Sequence, residues 1–216
     1  MDALIEKVLK NLEKNNMQAF YANTCQEAVK IVKTLINKGD TISMGGSMSV
    51  IQSGVYDLIT NGDYNFLDRS REGITPEETE EIYRKTFFAD AYFTSSNAVT
   101  ENGELFNVDG NSNRVAAILF GPKNVIMIVG KNKIVKNTDA AINRVKTVAA
   151  PKNTRRLNKQ TYCNLNGKCV SLLNDNEYIC DGCGTKERIC RNYVFCGPQA
   201  KKDRIKVIIV NEKLGY

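Results

Sequence analysis

Cysteines are the side chains of this sequence whose types and spacing most clearly suit chemistry. The stretch CDGCGTKERIC, residues 180–190, contains three of the seven cysteines. Two thiolates separated by two residues, those of Cys180 and Cys183, reach one metal ion, and the glycine after the second lets backbone amides turn toward the sulfurs. With Cys169 in a looser second turn, NGKC, the spacing predicts a tetrahedral zinc site with four thiolate ligands.

Three other uses of these thiols stay open. Four cysteines are also the usual ligand set of an iron–sulfur cluster, thiols can be redox-active or form disulfides, and they are common as small buried groups. A disulfide framework is disfavoured because the number of cysteines is odd and a cytoplasmic protein is expected. That expectation rests on the charged, amphipathic start MDALIEK and on the lack of an apolar run near the roughly 18 residues that cross a bilayer.

Histidine is absent from the sequence, and its absence removes several mechanisms. Ser-His-Asp and Cys-His nucleophile activation, histidine-ligated zinc hydrolysis and histidine acid–base catalysis are excluded within this chain. Any catalysis must use carboxylates, lysine, tyrosine, cysteine, a metal or backbone amides.

Positive charge is concentrated in the second part of the chain. Residues 151–216 contain 13 Lys and Arg against 6 Asp and Glu, whereas residues 1–150 contain 17 against 18. A basic tail is typical of nucleic-acid binding, but it also offsets the charge of about −2 that four thiolates leave on a zinc ion. A zinc-ribbon-like nucleic-acid-binding module is the less favoured interpretation, because the tail lacks a clear base-stacking aromatic patch.

The elements that must position these residues alternate between helix and strand over residues 1–150. Apolar residues at helical spacing from Leu4 to Leu12 predict a first helix. The motif TPEE combines an N-cap, a proline and a capping carboxylate, which begin a helix at Pro76. Other helices are predicted at residues 24–36, 49–60 and 138–148, and strands at 17–22, 41–44, 64–67, 91–94 and 125–130. This alternation predicts a largely parallel α/β sheet, with the final run RIKVIIV as an edge strand.

The loops that follow strands are the expected ligand sites, because open α/β sheets bind ligands at the carboxyl ends of their strands. The first such loop is MGGSMS, residues 44–49. Gly45 and Gly46 permit positive φ angles and close approach of an anion, and Ser47 can donate to a phosphate or carboxylate. A tight strand-to-helix turn capped by Ser47 or Ser49 explains the motif equally well.

A second polar loop covers residues 94–114. Its NG and DG turn signals flank residues 104–108 and predict a hairpin. The candidates there for acid–base chemistry, hydrogen bonding and anion pairing are Glu101, Asn102, Asp109, Asn111, Asn113 and Arg114. A solvated hairpin accounts for this composition as simply.

Several segments together carry a family resemblance. They are GGS after a strand, TENGELFNVDGNSNRVAAILFGPKNVIMIVG, APKNTRRL, the cysteine cluster and the ending RIKVIIVNEKLGY. Over nearly its whole length the sequence resembles the LUD (lactate utilisation) domain family. The resemblance implies a Rossmann-like open sheet of the ribose-5-phosphate isomerase and CoA-transferase type, with a small cysteine-rich C-terminal extension. The implied parts are an α/β core at 1–150, the basic extension at 151–203 and a strand at 204–216 that returns to the core.

The resemblance also implies a function in the use of lactate or a related organic acid. A small carboxylate or phosphate is then expected to bind at the strand-end loops. The expected partners are iron–sulfur proteins of a lactate-oxidising system. A homo-oligomer is possible. Glu101, in TENG, is similar to the glutamate nucleophile in the SENG motif of CoA transferases. A transferase or isomerase that uses Glu101 is therefore the alternative.

The resemblance extends to the cysteine cluster. Family members with such a tail carry a cysteine, a CxxC pair and a later RxC, which Cys163, Cys180, Cys183 and Cys190 match. The sequence departs from this pattern near Cys169, so either Cys163 or Cys169 is the implied fourth ligand.

Overall fold

The structure is a computed structural model that describes residues 1–173 and 178–216. Within these ranges the strands are β1 (Gln18–Ala22), β2 (Thr41–Met44), β3 (Asn65–Phe66), β4 (Ala91–Thr94), β5 (Ala98–Thr100), β6 (Leu105–Asp109), β7 (Asn124–Gly130), β8 (Ile134–Val135), β9 (Asn192–Cys196) and β10 (Ile205–Val210). The α-helices are α1 (Ala3–Lys14), α2 (Cys25–Lys33), α3 (Met48–Gln52), α4 (Val55–Asn61), α5 (Pro76–Lys85), α6 (Asn113–Phe120), α7 (Thr138–Arg144), α8 (Ala150–Arg156) and α9 (Tyr162–Asn166). None of the described helices combines the length and hydropathy needed to cross a bilayer.

Six strands form a parallel sheet in the order β1-β10-β7-β4-β2-β3. An apolar cluster packs on each face: α1 contributes Val8 to one and α2 contributes Val32 to the other. Successive residues of a strand point to opposite faces, and β7 accordingly supplies Met127 to the first cluster and Ile128 to the second. The predicted Rossmann-like α/β architecture is confirmed.

Strand β10 lies inside this sheet, between β1 and β7. The expectation of an edge strand is therefore wrong. A strand covered on both faces is an almost continuous apolar run, and IKVIIV has that composition. Leu214, beyond the strand, is buried in the cluster that contains Val32.

A second sheet, in the order β8-β5-β6-β9, stands beside the parallel one. The predicted hairpin is confirmed, since β5 and β6 pair antiparallel. Gly103 in its turn has a φ of +79°, and a Cβ there would lie 2.6 Å from the backbone nitrogen of Leu12 on α1. Only glycine allows both the left-handed φ and this approach. Strand β9 pairs with β6, and Phe195 stacks on Phe106 with ring centroids 4.2 Å apart.

Two predicted helices differ from those observed. The helix predicted over residues 49–60 is divided into α3 and α4 at Gly54, which has a φ of +77°. The helix predicted over 138–148 continues to residue 156, because a π-helix at Val145–Ala149 joins α7 to α8. Pro151 has no N–H and crowds the preceding turn, and the wider π turn accommodates it. The predicted capping box of α5, with Thr75 and Glu78, is confirmed.

Candidate functional site

The loops that leave β2, β4, β7 and β10 lie at one edge of the parallel sheet, the carboxyl ends of its strands. Two adjoining cavities open there, a larger one of about 380 Å³ and a smaller one of about 70 Å³. Gly46, Asn97 and Arg114 line both. This is the edge at which open α/β sheets bind ligands.

Positive charge dominates the larger cavity. Its charged lining side chains are Arg69, Arg114, Arg156, Lys159 and one carboxylate, that of Asp109. A Cβ on Gly46 would lie 3.0 Å from Arg69 Nη2 and 4.0 Å from Arg156 Nη2, so two guanidinium groups approach the backbone of Gly46 from different parts of the chain. Asn113, at the first turn of α6, also lines this cavity.

Asp109 uses its carboxylate to hold the start of α6. Its Oδ1 accepts from the backbone N–H groups of Asn111 and Ser112, at 3.1 Å each, and its Oδ2 accepts from that of Val115 at 3.2 Å. Arg114 Nε lies 3.8 Å from the same oxygen. The single carboxylate of the cavity wall is thus committed to the loop.

Arg114 joins the loop after β4 to strand β6. Its Nη1 donates to the carbonyl of Ser95 at 3.1 Å and to Asn107 Oδ1 at 2.7 Å. Its Nη2 donates to Asn97 Oδ1 at 3.2 Å and to the carbonyl of Val108 at 2.9 Å. All four hydrogen-bond acceptors are neutral, and the negative charge near the guanidinium is that of Asp109 Oδ2, 3.8 Å from Nε.

The Gly-Gly-Ser loop both caps a helix and lines the cavities. Ser47 is the N-cap of α3, where its Oγ accepts from the N–H of Val50 at 3.3 Å, and it lines the smaller cavity. Neither Gly45 nor Gly46 adopts the positive φ that glycine permits. Gly45 is required sterically, since a Cβ would lie 2.6 Å from the hydroxyl of Tyr92. Burial raises the pKa of Tyr92 to about 12, which keeps that phenol protonated.

Lys133, which sequence reasoning missed, lines the smaller cavity. It ends the 3₁₀ turn after β7 and is only 4% exposed. Its Nζ donates to Ser95 Oγ at 3.0 Å and to the carbonyl of Ser96 at 3.2 Å. Burial, assisted by the positive charges of Arg144 and Arg114, lowers the pKa of Lys133 to about 7. The only signal in the sequence was its position directly after a buried strand.

Glu101 and Asn102 lie at the other end of the hairpin, in the turn that precedes β6. Glu101 Oε2 accepts from Lys7 Nζ at 2.7 Å, and the carbonyl of Asn102 accepts from Asn15 Nδ2 at 3.1 Å. Neither residue lines the two cavities, which are reached by the Asp109 end of β6. The structure therefore separates Glu101, the candidate nucleophile, and Asn102 from the other predicted ligand-binding residues.

Four of the five predicted metal-binding cysteines line a third cavity of about 10 Å³, a volume near that of a single bound water. They are Cys163, Cys169, Cys183 and Cys190. Cys180 is exposed and does not line it. All seven cysteines are free thiols. Within residues 1–173 and 178–216, no group of three or more Cys, Asp or Glu side chains is arranged to hold a metal ion.

The parallel sheet and the cavities at its strand ends define a Rossmann-like α/β protein. The sequence model of the LUD domain family matches residues 5–210, and the chain belongs to this family. Among solved structures, the crystal structure of a DUF162 family protein from Deinococcus radiodurans is similar to this chain with a TM-score of 0.52 and 14% sequence identity, over 96% of each chain. That similarity concerns the fold alone. A search of curated proteins returned no match.

Proposed function

We propose that this LUD-family protein serves the utilisation of lactate or a related organic acid by binding a small carboxylate or phosphate ligand in the larger cavity. Membership of the LUD domain family supports a lactate-utilisation-related function. The ligand class is supported by one observation above all: four cationic side chains line the cavity, and its one carboxylate is held by backbone amides. The iron–sulfur partner proteins implied by the resemblance stay a prediction.

An anionic ligand is favoured by the way the cations are held. Arg114 is fixed by neutral acceptors, and Arg69 is fixed by Tyr83, whose hydroxyl accepts from its Nη1 at 3.0 Å. Guanidinium groups that are already oriented lose little entropy when they bind a carboxylate or phosphate through two parallel hydrogen bonds. Because Gly46 has no side chain, the space beside the two guanidinium groups is free of a Cβ, which would lie 3.0 Å from Arg69 Nη2 and 4.0 Å from Arg156 Nη2.

Replacing Arg69 by glutamine is expected to weaken binding of the ligand about tenfold or more, because a charge-assisted hydrogen bond contributes about 1.5–3 kcal/mol. The binding of L-lactate, pyruvate and inorganic phosphate should be measured by titration calorimetry at low salt. Arg71→Gln is the matched control, since Arg71 has the same charge, belongs to the same loop and pairs with Glu78 outside the cavity. Equal affinities of the two variants, or no binding of any of the three anions by the wild type, would contradict the proposal.

A structural metal in the thiol cavity is the second part of the proposal. Four thiol groups line one small space and match zinc in donor number. Within the described residues no three of them are arranged to hold an ion, so binding would require the thiols to move closer together. The four sulfurs come from three segments, so a shared ion would tie α9, the following turn and the 180–190 segment together. Such a cross-link stabilises a region that has little apolar core of its own.

Cys183→Ser is expected to lower both the metal content and the melting temperature, because it removes one of the four thiolate donors. Metal content should be measured by elemental analysis, with an absorption spectrum, on protein purified without oxygen. About one zinc per chain and no colour is expected for the wild type. Cys180→Ser is the control, because Cys180 is exposed and lies outside the cavity. If Cys183→Ser keeps the wild-type metal content and melting temperature, the metal proposal is wrong.

A further inference from the structure

Lys133 is a buried amine without an acidic partner in the smaller cavity. The hydrogen bonds from its Nζ go to a serine hydroxyl and a backbone carbonyl, on Ser95 and Ser96. No Asp or Glu side chain is among the described residues that line this cavity. Burial of an ammonium group is costly unless a negative charge compensates it. The amine is thus either balanced by an anionic ligand or held in its neutral form.

The surroundings of Lys133 favour the neutral form near neutral pH. Arg144 is 8% exposed and Arg114 lines the same cavity, so two guanidinium charges oppose a third positive charge. The pKa of Lys133 is correspondingly lowered to about 7. A neutral lysine amine in a desolvated site is a nucleophile for carbonyl carbon.

The two cavities place this amine beside a cationic space. They share Gly46, Asn97 and Arg114 in their walls. Arg114 Nη1 and Lys133 Nζ both donate to Ser95, the first to its carbonyl at 3.1 Å and the second to its hydroxyl at 3.0 Å, so the two groups lie close together. A carboxylate bound beside Arg114 would therefore bring an adjacent carbonyl near Lys133 Nζ. The small volume, about 70 Å³, restricts the part of the ligand beside Lys133 to a few non-hydrogen atoms. A short 2-oxo acid has this combination of carboxylate and adjacent ketone.

We propose that Lys133 forms an imine with the carbonyl carbon of a small 2-oxo acid, an inference that rests on the proposed anion binding. Nζ adds to the carbonyl carbon, and the carbonyl oxygen takes a proton. The C–O bond then breaks, so that this oxygen and the two amine hydrogens leave as one water molecule. Ser95 Oγ, 3.0 Å from Nζ, can accept and return the transferred proton. The step needs no oxidant or reductant.

The test is reductive trapping with pyruvate as the probe. The full chain is incubated with pyruvate and cyanoborohydride, which converts an imine to a stable secondary amine, and the product is located by mass spectrometry of chymotryptic peptides. One adduct per chain, on Lys133, is expected, with a yield that rises from pH 6 to pH 8. L-Lactate, which has no carbonyl beside its carboxylate, should give none. Lys133→Arg should lose the adduct, whereas Lys131→Arg, in the same turn but exposed, should retain it.

The inference is overturned if saturating pyruvate gives no adduct on Lys133 of the wild type, or only scattered adducts on exposed lysines. Because the site is mapped on the wild type, this outcome does not depend on whether Lys133→Arg folds. Calorimetry on the same preparation separates the two proposals. Anion binding without an adduct overturns the imine and leaves the anion site standing, whereas the absence of both overturns both.

Discussion

Arg114→Ala is expected to abolish anion binding and to lower the free energy of unfolding by about 3–5 kcal/mol. The guanidinium is 13% exposed and donates four hydrogen bonds that link the loop after β4 to β6. Alanine would leave these acceptors without their donor and would remove a charge from the walls of both cavities. Urea denaturation followed by circular dichroism gives the free energy of unfolding, and titration calorimetry of any remaining folded variant measures anion binding.

Two variants separate the parts of this prediction. Arg114→Lys keeps the charge but not the planar fork, so it should recover part of the binding and little of the stability. Arg155→Ala removes an exposed arginine that has one weak hydrogen bond, to the carbonyl of Asn164 at 3.4 Å, and should change stability by no more than about 0.5 kcal/mol. If Arg114→Ala were as stable as Arg155→Ala, the network described around Arg114 would not hold the loop.

Lys133→Met is expected to change how stability depends on pH. The pKa of Lys133 is about 7 in the folded protein and 10.5 as the unperturbed value. Between these values the unfolded chain binds more protons than the folded one, so this residue makes wild-type stability rise with pH. Below pH 7 the cost of burying the ammonium is fully present, and it is relieved as the pH increases. Relative to Lys133→Met, the wild type should therefore gain about 2–3 kcal/mol between pH 6 and pH 9.

The measurement is urea unfolding of both proteins at pH 6, 7, 8 and 9, with the difference in free energy of unfolding plotted against pH. Lys131→Met serves as the control, because Lys131 is exposed and its Nζ donates to Asn211 Oδ1 at 3.1 Å. The free energies of unfolding of Lys131→Met and the wild type are expected to depend on pH in the same way. Parallel curves for Lys133→Met and the wild type would mean that Lys133 is charged in the folded protein throughout this range.

Much of the fold follows from local patterns in the sequence. The helical spacing of Leu4 to Leu12 and the capping motif before Pro76 are short-range signals, and both helices form where they were predicted. The position of β10 was harder to predict, because strand order depends on contacts between distant segments. Its almost continuous apolar composition, interrupted only by Lys206, indicated burial on both faces, which is a property of interior strands.

The sequence predicted those residues of the candidate site that lie at or just after the ends of strands. Gly46, Asp109 and Arg114 were selected because they follow strands or turns, and they line one cavity. Glu101 was selected by the same reasoning, but the turn that contains it packs against α1. Hydrophobic periodicity locates both ends of a hairpin without telling which end faces the sheet edge.

Lys133 was not predictable because its burial comes from distant segments. A lysine in a short polar turn is usually exposed. Here the segment after β10 covers it: a Cβ on Gly215 would lie 3.4 Å from Lys133 Nζ and 2.6 Å from Ser49 Oγ. The cysteines show the opposite case, because spacing and the family resemblance selected four residues that line one cavity, while Cys180, the first residue of the CxxC pair, lies outside it.

The interior position of β10 has a consequence for how the chain folds. Gln18 of β1 pairs with Lys206 of β10, and β10 in turn pairs with β7. Until residues 205–210 leave the ribosome, no strand joins β1 to β7. The apolar face of α1 then packs on a sheet that lacks its β10 residues. Closing so long a loop is slow, and open strand edges favour aggregation. We therefore expect the parallel sheet to form only once β10 has been synthesised, and until then the unpaired edges of β1 and β7 are sites at which a chaperone can bind the nascent chain.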